Sequence, residues 1–371
     1  MRVPFRSREQ RRGRHVATSS IVAEARAHDL REDPQTFEED APEEEPTSPD
    51  DRSDDLMVSD SRPTAEEAPS IADAGDDRPP APPQPSTENG DPGMTQEDGA
   101  VSDLELPELS DSLQRRTGTR IIAVANQKGG VGKTTTAVNL GAGLAEIGLR
   151  VLVIDLDPQG NATTGLGIEA RNFENSMYDV MMKDVALEDC IEPTSIRNLF
   201  VAPATIDLAG AEIELVPAFS REFKLRKAIQ SVMDDFDYVL IDCPPSLGLI
   251  TINGLAAAGE VLVPIQCEYY ALEGLGQLLR NVQLVQSNLN ESLEVSTIVL
   301  TMYDARTKLA DQVASEVRAH FGARVCRIVI PRTVRISEAP SFGQPITVFD
   351  PTSRGAIAYR ELAKEVSGVE A

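Results

Sequence analysis

The sequence predicts an α/β fold, doubly wound, with a mostly parallel sheet covered by helices on both faces and preceded by a disordered acidic tail. Three observations carry that expectation. From Arg120 onward, short β-branched runs alternate with longer stretches of helical spacing. The strand candidates are apolar almost throughout, as strands buried on both faces must be. The composition also changes abruptly near residue 118. Residues 1–117 carry 13 Lys/Arg against 29 Asp/Glu, a net of −16, and 14 of the 25 prolines, whereas the remaining 254 residues carry 22 against 31, a net of −9.

The boundary follows from that contrast. Stretches such as Glu43-Glu44-Glu45-Pro46 and Arg78-Pro79-Pro80-Ala81-Pro82-Pro83 have too little apolar surface to offset roughly 1–2 kcal/mol of backbone entropy per residue. The expected organisation is a Pro-rich tail over 1–117 and one nucleotide-binding domain over 118–371. Six arginines (Arg2, Arg6, Arg8, Arg11, Arg12, Arg14) stand against Glu9 in the first 20 residues, and they read as a solvated basic end. No apolar run of 7–15 residues follows them, so no secretory leader is expected. Cys190, Cys243, Cys267 and Cys326 are widely spaced, without a C-x-x-C pair, and read as small buried hydrophobes of a reducing, cytoplasmic compartment. No run of 18 apolar residues is present, so no span and no stable membrane association is expected.

In chain order, strands are expected at 120–125, 150–154, 198–202, 237–241, 260–265, 295–301 and 325–330. Helices are expected near 135–147, 220–234, 249–258, 271–289, 309–321 and 355–366. No internal repeat is visible. Ligands in such folds bind beyond the carboxyl ends of the strands, and each motif below falls just after one.

The first is Lys128-Gly129-Gly130-Val131-Gly132-Lys133-Thr134-Thr135, between the apolar run 121–124 and the Ala/Leu-rich stretch from Thr136 to Ile147. Strand, glycine loop and helix in that order make a phosphate cradle: glycines let N–H groups turn toward an anion, and the helix N-terminus adds partial positive charge. Lys133 would reach the β/γ-phosphates, the Thr134 hydroxyl would ligate Mg²⁺, and Thr135 would meet the α-phosphate. A P-loop has the form Gly-x-x-x-x-Gly-Lys-[Ser/Thr], yet its first position here is Gln127, and a second lysine, Lys128, stands where a neutral residue is usual.

Two acidic strand ends complete the constellation. Val151-Leu152-Val153-Ile154-Asp155-Leu156-Asp157 closes with two carboxylates two residues apart, expected to share one side if the backbone stays extended. Tyr238-Val239-Leu240-Ile241-Asp242 has the Walker B pattern, a hydrophobic strand ending in a magnesium carboxylate.

Together with Asp155-Leu156-Asp157-Pro158-Gln159-Gly160-Asn161 and Ile241-Asp242-Cys243-Pro244-Pro245-Ser246-Leu247-Gly248, the loop resembles the deviant-Walker-A ATPases, and within them the ParA/Soj branch. Leu208-Ala209-Gly210-Ala211-Glu212-Ile213-Glu214-Leu215, Gln266-Cys267-Glu268-Tyr269-Tyr270-Ala271-Leu272-Glu273-Gly274 and Val334-Arg335-Ile336-Ser337-Glu338-Ala339-Pro340-Ser341 support that branch. The resemblance covers about 119–368. It implies that ATP and Mg²⁺ are the cofactors and that the ATP-bound form is a homodimer in which Lys128 crosses to the partner's phosphates. It further implies that Asp157 positions or activates the hydrolytic water, Asp155 supports the magnesium shell, and Pro331 and Thr333 lie where the family contacts adenine. Slow hydrolysis stimulated by a ParB-type centromere-binding protein is implied, as is nonspecific binding of double-stranded DNA through Arg306 and Arg335, on the nucleoid.

An overall charge of −25 does not oppose DNA binding, because residues 300–371 carry ten Lys/Arg against eight Asp/Glu and phosphate contact needs only a local basic patch. An iron–sulfur reductase would need paired cysteines at a shared cluster. A MinD-like membrane-cycling ATPase, the main alternative, would need a basic amphipathic C-terminal helix, whereas Glu361–Ala371 is short and acidic.

Overall fold

The computed structural model describes residues 118–268 and 271–369, and the tail expected over 1–117 lies outside them. Seven strands form one sheet: β1 (Arg120–Val124), β2 (Val151–Asp155), β3 (Glu192–Pro193), β4 (Leu199–Ala202), β5 (Tyr238–Asp242), β6 (Glu260–Gln266) and β7 (Glu294–Thr301), in the order β3-β4-β2-β5-β1-β6-β7. All pairings are parallel except β3 with β4. The helices are α1 (Lys133–Glu146), α2 (Asn161–Gly165), α3 (Met177–Met182), α4 (Leu187–Cys190), α5 (Leu208–Glu214), α6 (Lys224–Gln230), α7 (Leu249–Ala257), α8 (Ala271–Asn288), α9 (Lys308–Phe321), α10 (Val334–Glu338), α11 (Ile346–Phe349) and α12 (Arg354–Ser367).

Successive residues of each central strand enter opposite cores, because side chains alternate across a pleat. Ile122, Val124, Val151, Val153, Leu240 and Leu262 face one core with α1 and α12. Ala123, Leu152, Ile154, Val239, Ile241 and Val263 face the other, with α3, α5, α6, α7, α8 and α9. That is why the strands read as continuous apolar runs. On the first face, α1 and α12 approach closely at Gly143, where a Cβ would sit 2.9 Å from Ala363 Cβ and 3.1 Å from the Tyr359 carbonyl oxygen. Side-chain caps fix several helix starts: Thr307 accepts from the Ala310 N–H in α9, and Ser353 from the Ala356 N–H in α12.

Two expected elements take another form. The helix expected near 220–234 is broken into α6 flanked by 3₁₀ turns at Arg221–Phe223 and Met233–Asp235, with Ser220 at φ 51° interrupting its start. The strand expected at 325–330 does not form. Cys326 N–H and Ile330 N–H still reach the Ile298 and Leu300 carbonyls of β7. Between them, however, the N–H groups of Arg327 and Ile328 donate to the Glu365 carboxylate of α12, at 2.7 and 3.1 Å, instead of extending a ladder. The segment is a strap along the sheet edge.

Parallel strands place their carboxyl ends along one edge, so the loops after β1, β2, β5, β6 and β7 gather there. Register makes the gathering specific: Val124 of β1 pairs with Asp242 of β5, which pairs on its other side with Asp155 of β2.

Candidate nucleotide site

The loop after β1 turns as its glycines permit. Gly130 and Gly132 have φ of 75° and 89°, a left-handed region costly for other residues, and Gly132 caps α1. A Cβ at Gly129 or Gly130 would meet nothing within 4 Å, so side chains there would project into the space an anion needs. Both halves of the loop are anchored. Asn126, buried, donates to the Pro264 carbonyl at 2.7 Å and accepts from the Lys128 N–H at 3.1 Å. The Thr301 hydroxyl at the end of β7 donates to the Val131 carbonyl at 2.8 Å.

Lys133 is nearly buried, and its ammonium donates to the Lys128 carbonyl at 3.2 Å. Burial pushes its pKa down, opposed by the Asp242 carboxylate. Beneath it lies Asp242, fully buried, with neither carboxylate oxygen in a hydrogen bond of normal geometry. Burial and then the facing Asp155 raise its pKa well above the ordinary carboxylate range, while the Thr134 hydroxyl and Lys133 pull it down. A buried carboxylate so poorly hydrogen-bonded is costly. Here it sits below a lysine and a threonine at a helix N-terminus, a donor set suited to a hydrated magnesium ion carrying phosphates.

Asp155 is equally buried but fully engaged. It accepts from the Asp157 N–H at 3.1 Å, the Thr163 N–H at 2.8 Å and the Thr163 hydroxyl at 2.7 Å. Burial still raises its pKa to about 6. The expectation that Asp155 and Asp157 share one side of an extended strand is corrected. β2 ends at Asp155, the chain turns on the Asp155 carboxylate, and Asp157 emerges half-buried, accepting from the Gln159 N–H at 3.0 Å. Beyond it opens a cleft of about 710 Å³ lined by Pro158, Gln159, Gly160, Thr163, Ile206 and Phe342, among others.

The remaining candidates are less central. Lys128, half-exposed, pairs with Glu268 at 3.6 Å. Pro331 bridges to Tyr303, and the Thr333 hydroxyl accepts from the Ile336 N–H as the cap of α10. This segment runs beside β7, whose last residue holds the P-loop. Arg306 is 88 % exposed and pairs with Asp304 at 2.7 Å, while Arg335 pairs with Glu338 at 3.1 Å and Asp350 at 3.5 Å and lies over the Phe349 ring. Arg306 drives the Asp304 pKa down to about 2. All four cysteines are buried, and no cluster able to hold a metal through His, Cys, Asp or Glu occurs among the described residues. No described helix is long and apolar enough to cross a membrane.

Several supports escape sequence reasoning: Asn126, Thr163, Thr301 and Glu212. The last accepts from the N–H groups of Leu249 and Ile250 at 2.8 and 3.3 Å, capping α7 from α5 just after the Walker B strand. Asn126, Thr301 and Glu212 act across large sequence separations, and Thr163 reaches Asp155 from eight residues on, where no spacing rule exists.

Comparison with known proteins agrees with this geometry. A family model described as an AAA domain matches residues 119–295. The sporulation initiation inhibitor protein Soj of Bacillus subtilis is 59% identical over 248 residues, covering 67% of this chain and 98% of that protein. The chromosome partitioning protein ParA of Myxococcus xanthus is 51% identical over 247 residues, covering 67% and 87%. A crystal structure of cobyrinic acid a,c-diamide synthase from Mycobacterium smegmatis with bound ADP and magnesium superimposes with a TM-score of 0.59 at 43% identity, covering 66% of this chain and 93% of that one.

Proposed function

This chain belongs to the Soj/ParA family of chromosome-partitioning ATPases, and on that premise we propose that it is an ATP-dependent dimerising switch that binds DNA nonspecifically and segregates chromosomal or plasmid origins. The observation that carries the reading is the fully buried Asp242 carboxylate, in no hydrogen bond of normal geometry, beneath Lys133 and Thr134.

In this reading Lys133 exchanges the Lys128 carbonyl for the β- and γ-phosphate oxygens, and the loop N–H groups bind the same oxygens. Thr134 and Asp242 hold magnesium, which when bound neutralises charge on the phosphates. Asp155, its oxygens already taken, fixes the turn that presents Asp157 and would support the magnesium shell through its charge. Asp157 orients or activates the attacking water. Lys128 reaches the partner's phosphates, where a desolvated triphosphate needs a cation from across the interface. Pro331 and Thr333 flank adenine, and Arg306 and Arg335 contact DNA phosphates, each giving up its intramolecular carboxylate. A ParB-type protein accelerates the slow hydrolysis, and the protein works in the cytoplasm on the nucleoid. The names borne by relatives at 51–59% identity favour partition over the metabolic name at 43%. A MinD-like cycle on a membrane is the alternative for the same switch.

Sedimentation with and without ATP and magnesium, repeated with nonspecific DNA, tests the proposal. The expected result is a monomer that becomes a dimer with ATP and then co-sediments with DNA. A chain that takes up no nucleotide and never self-associates overturns it. Lys128→Ala is expected to bind ATP yet remain monomeric by light scattering, and Asp157→Ala to dimerise and bind DNA while phosphate release falls at least about tenfold.

A further inference from the structure

In this structure both loop lysines are held by the chain itself. Lys133 rests on the carbonyl of Lys128 at 3.2 Å, and the Lys128 ammonium rests on Glu268 at 3.6 Å. Glu268 is not a loose surface carboxylate. It lies two residues beyond the end of β6, its N–H donates to the Gln266 carbonyl at 2.8 Å, and its other oxygen accepts from the Gln266 side-chain amide at 2.5 Å. The backbone beneath is tied to the same strand through Asn126 and Pro264. A carboxylate held by its own turn therefore faces the ammonium of a lysine whose backbone is held by its own loop.

We propose that Glu268 is a positioning residue for Lys128, the intramolecular counter-ion that holds this lysine back until a second copy offers its triphosphate. The inference deepens the dimer reading and rests on it. In the dimer reading Lys128 reaches away from Glu268 to the partner's phosphates, so dimerisation exchanges two Lys128–Glu268 pairs, one per protomer, for two lysine–phosphate pairs. Until the exchange, Glu268 keeps the ammonium from solvent anions. During it, the Glu268 carboxylate opposes the incoming phosphates. Both effects raise the protein concentration needed to dimerise. The pair is half-exposed on each side, so each contributes modestly and is screened by salt.

Glu268→Gln keeps the shape and the contact with Gln266 while removing the charge. With a non-hydrolysable ATP analogue and magnesium at low salt, light scattering over a range of protein concentrations is expected to show a dimer dissociation constant about two- to thirtyfold lower than wild type. The difference should shrink above about 0.5 M salt, and Glu268→Asp should behave as wild type. Without nucleotide, acylation followed by mass spectrometry should modify Lys128 faster in Glu268→Gln, with Lys364 and Lys183 unchanged as internal references. Normal dimerisation of Glu268→Gln, or weaker dimerisation, overturns the proposal while leaving the switch intact. Unchanged Lys128 acylation also overturns it. A wild-type chain that does not dimerise with the analogue overturns the switch itself.

Discussion

The two ends of the candidate site are built on opposite principles. At the β1–β2–β5 end, the charged groups assigned to phosphate or magnesium chemistry, except Lys128 and Asp157, are held within the fold. Asp155 and Asp242 are buried, Lys133 nearly so, and partners from β6 and β7 hold the loop. At the β7 end, Arg306 and Arg335 stand on the surface with carboxylates of their own loop or helix beside them. A buried charge is tolerated only where its surroundings are arranged for it, so its purpose can be read from those surroundings. An exposed arginine is tolerated anywhere, and its purpose depends on a partner the chain does not contain.

The widest separation between the two ends is expected from Lys133→Ala. It removes the cation above Asp242 and should weaken ATP binding by about 2–5 kcal/mol, roughly 30- to 5,000-fold, by calorimetric titration. Loss of less than tenfold would break the contrast, since Lys133 would then behave like a surface charge.

A second effect is confined to the buried end. The Asp155 pKa is raised from 3.8 to about 6, so the magnesium-free folded chain binds more protons than the unfolded chain in that window. Its stability contribution is therefore present at low pH and lost as pH rises toward and through about 6, the reverse of a salt-bridged carboxylate. Magnesium with nucleotide favours the ionised carboxylates, so affinity for magnesium should fall by up to about tenfold per pH unit below 6 for each proton taken up. Thermal unfolding with and without magnesium nucleotide from pH 4.5 to 7.5 should show the stabilisation growing with pH. A flat difference would mean that neither aspartate is coupled to the metal.

The exposed end should respond more weakly and to a different variable. Arg306→Ala and Arg335→Ala are each expected to lower the logarithmic salt slope of DNA binding by about one, with ATP affinity unchanged. Arg335→Glu should lose DNA while retaining dimerisation. A change in ATP affinity would show the two ends to be one site. The smallest effect is expected from Glu365→Ala, which strands the Arg327 and Ile328 N–H groups at about 1 kcal/mol of stability, measurable as a shift in urea midpoint.

Legibility followed the same division. The cradle was readable because its chemistry is contiguous: Gly130, Gly132, Lys133 and Thr134 must be neighbours for the turn and helix to form, and Asp242 must close a buried strand. The strap at 325–330 misled because Val325, Cys326 and Ile330 are buried like strand residues, while the carboxylate that claims the intervening N–H groups lies 37 and 38 positions away. The Asp155–Asp157 pair misled in a subtler way, since their spacing suits a strand that in fact ends at Asp155.

By itself, then, the sequence determined the alternation of strands and helices, the glycine turn with its two lysines, and the identity of the acids that close β2 and β5, because hydrophobic period, backbone freedom and charge are properties of adjacent residues. Only the tertiary structure decided that Asp242 keeps no hydrogen bond of normal geometry while Asp155 is saturated by Thr163 and the Asp157 N–H. It likewise decided that Thr301 and Asn126 brace the loop, and that Glu268 faces Lys128. Apart from the Thr163 contact, made eight residues on by α2 just after β2, those roles arise where strands distant in the chain end side by side. No local pattern encodes which side chain a neighbouring strand will bring.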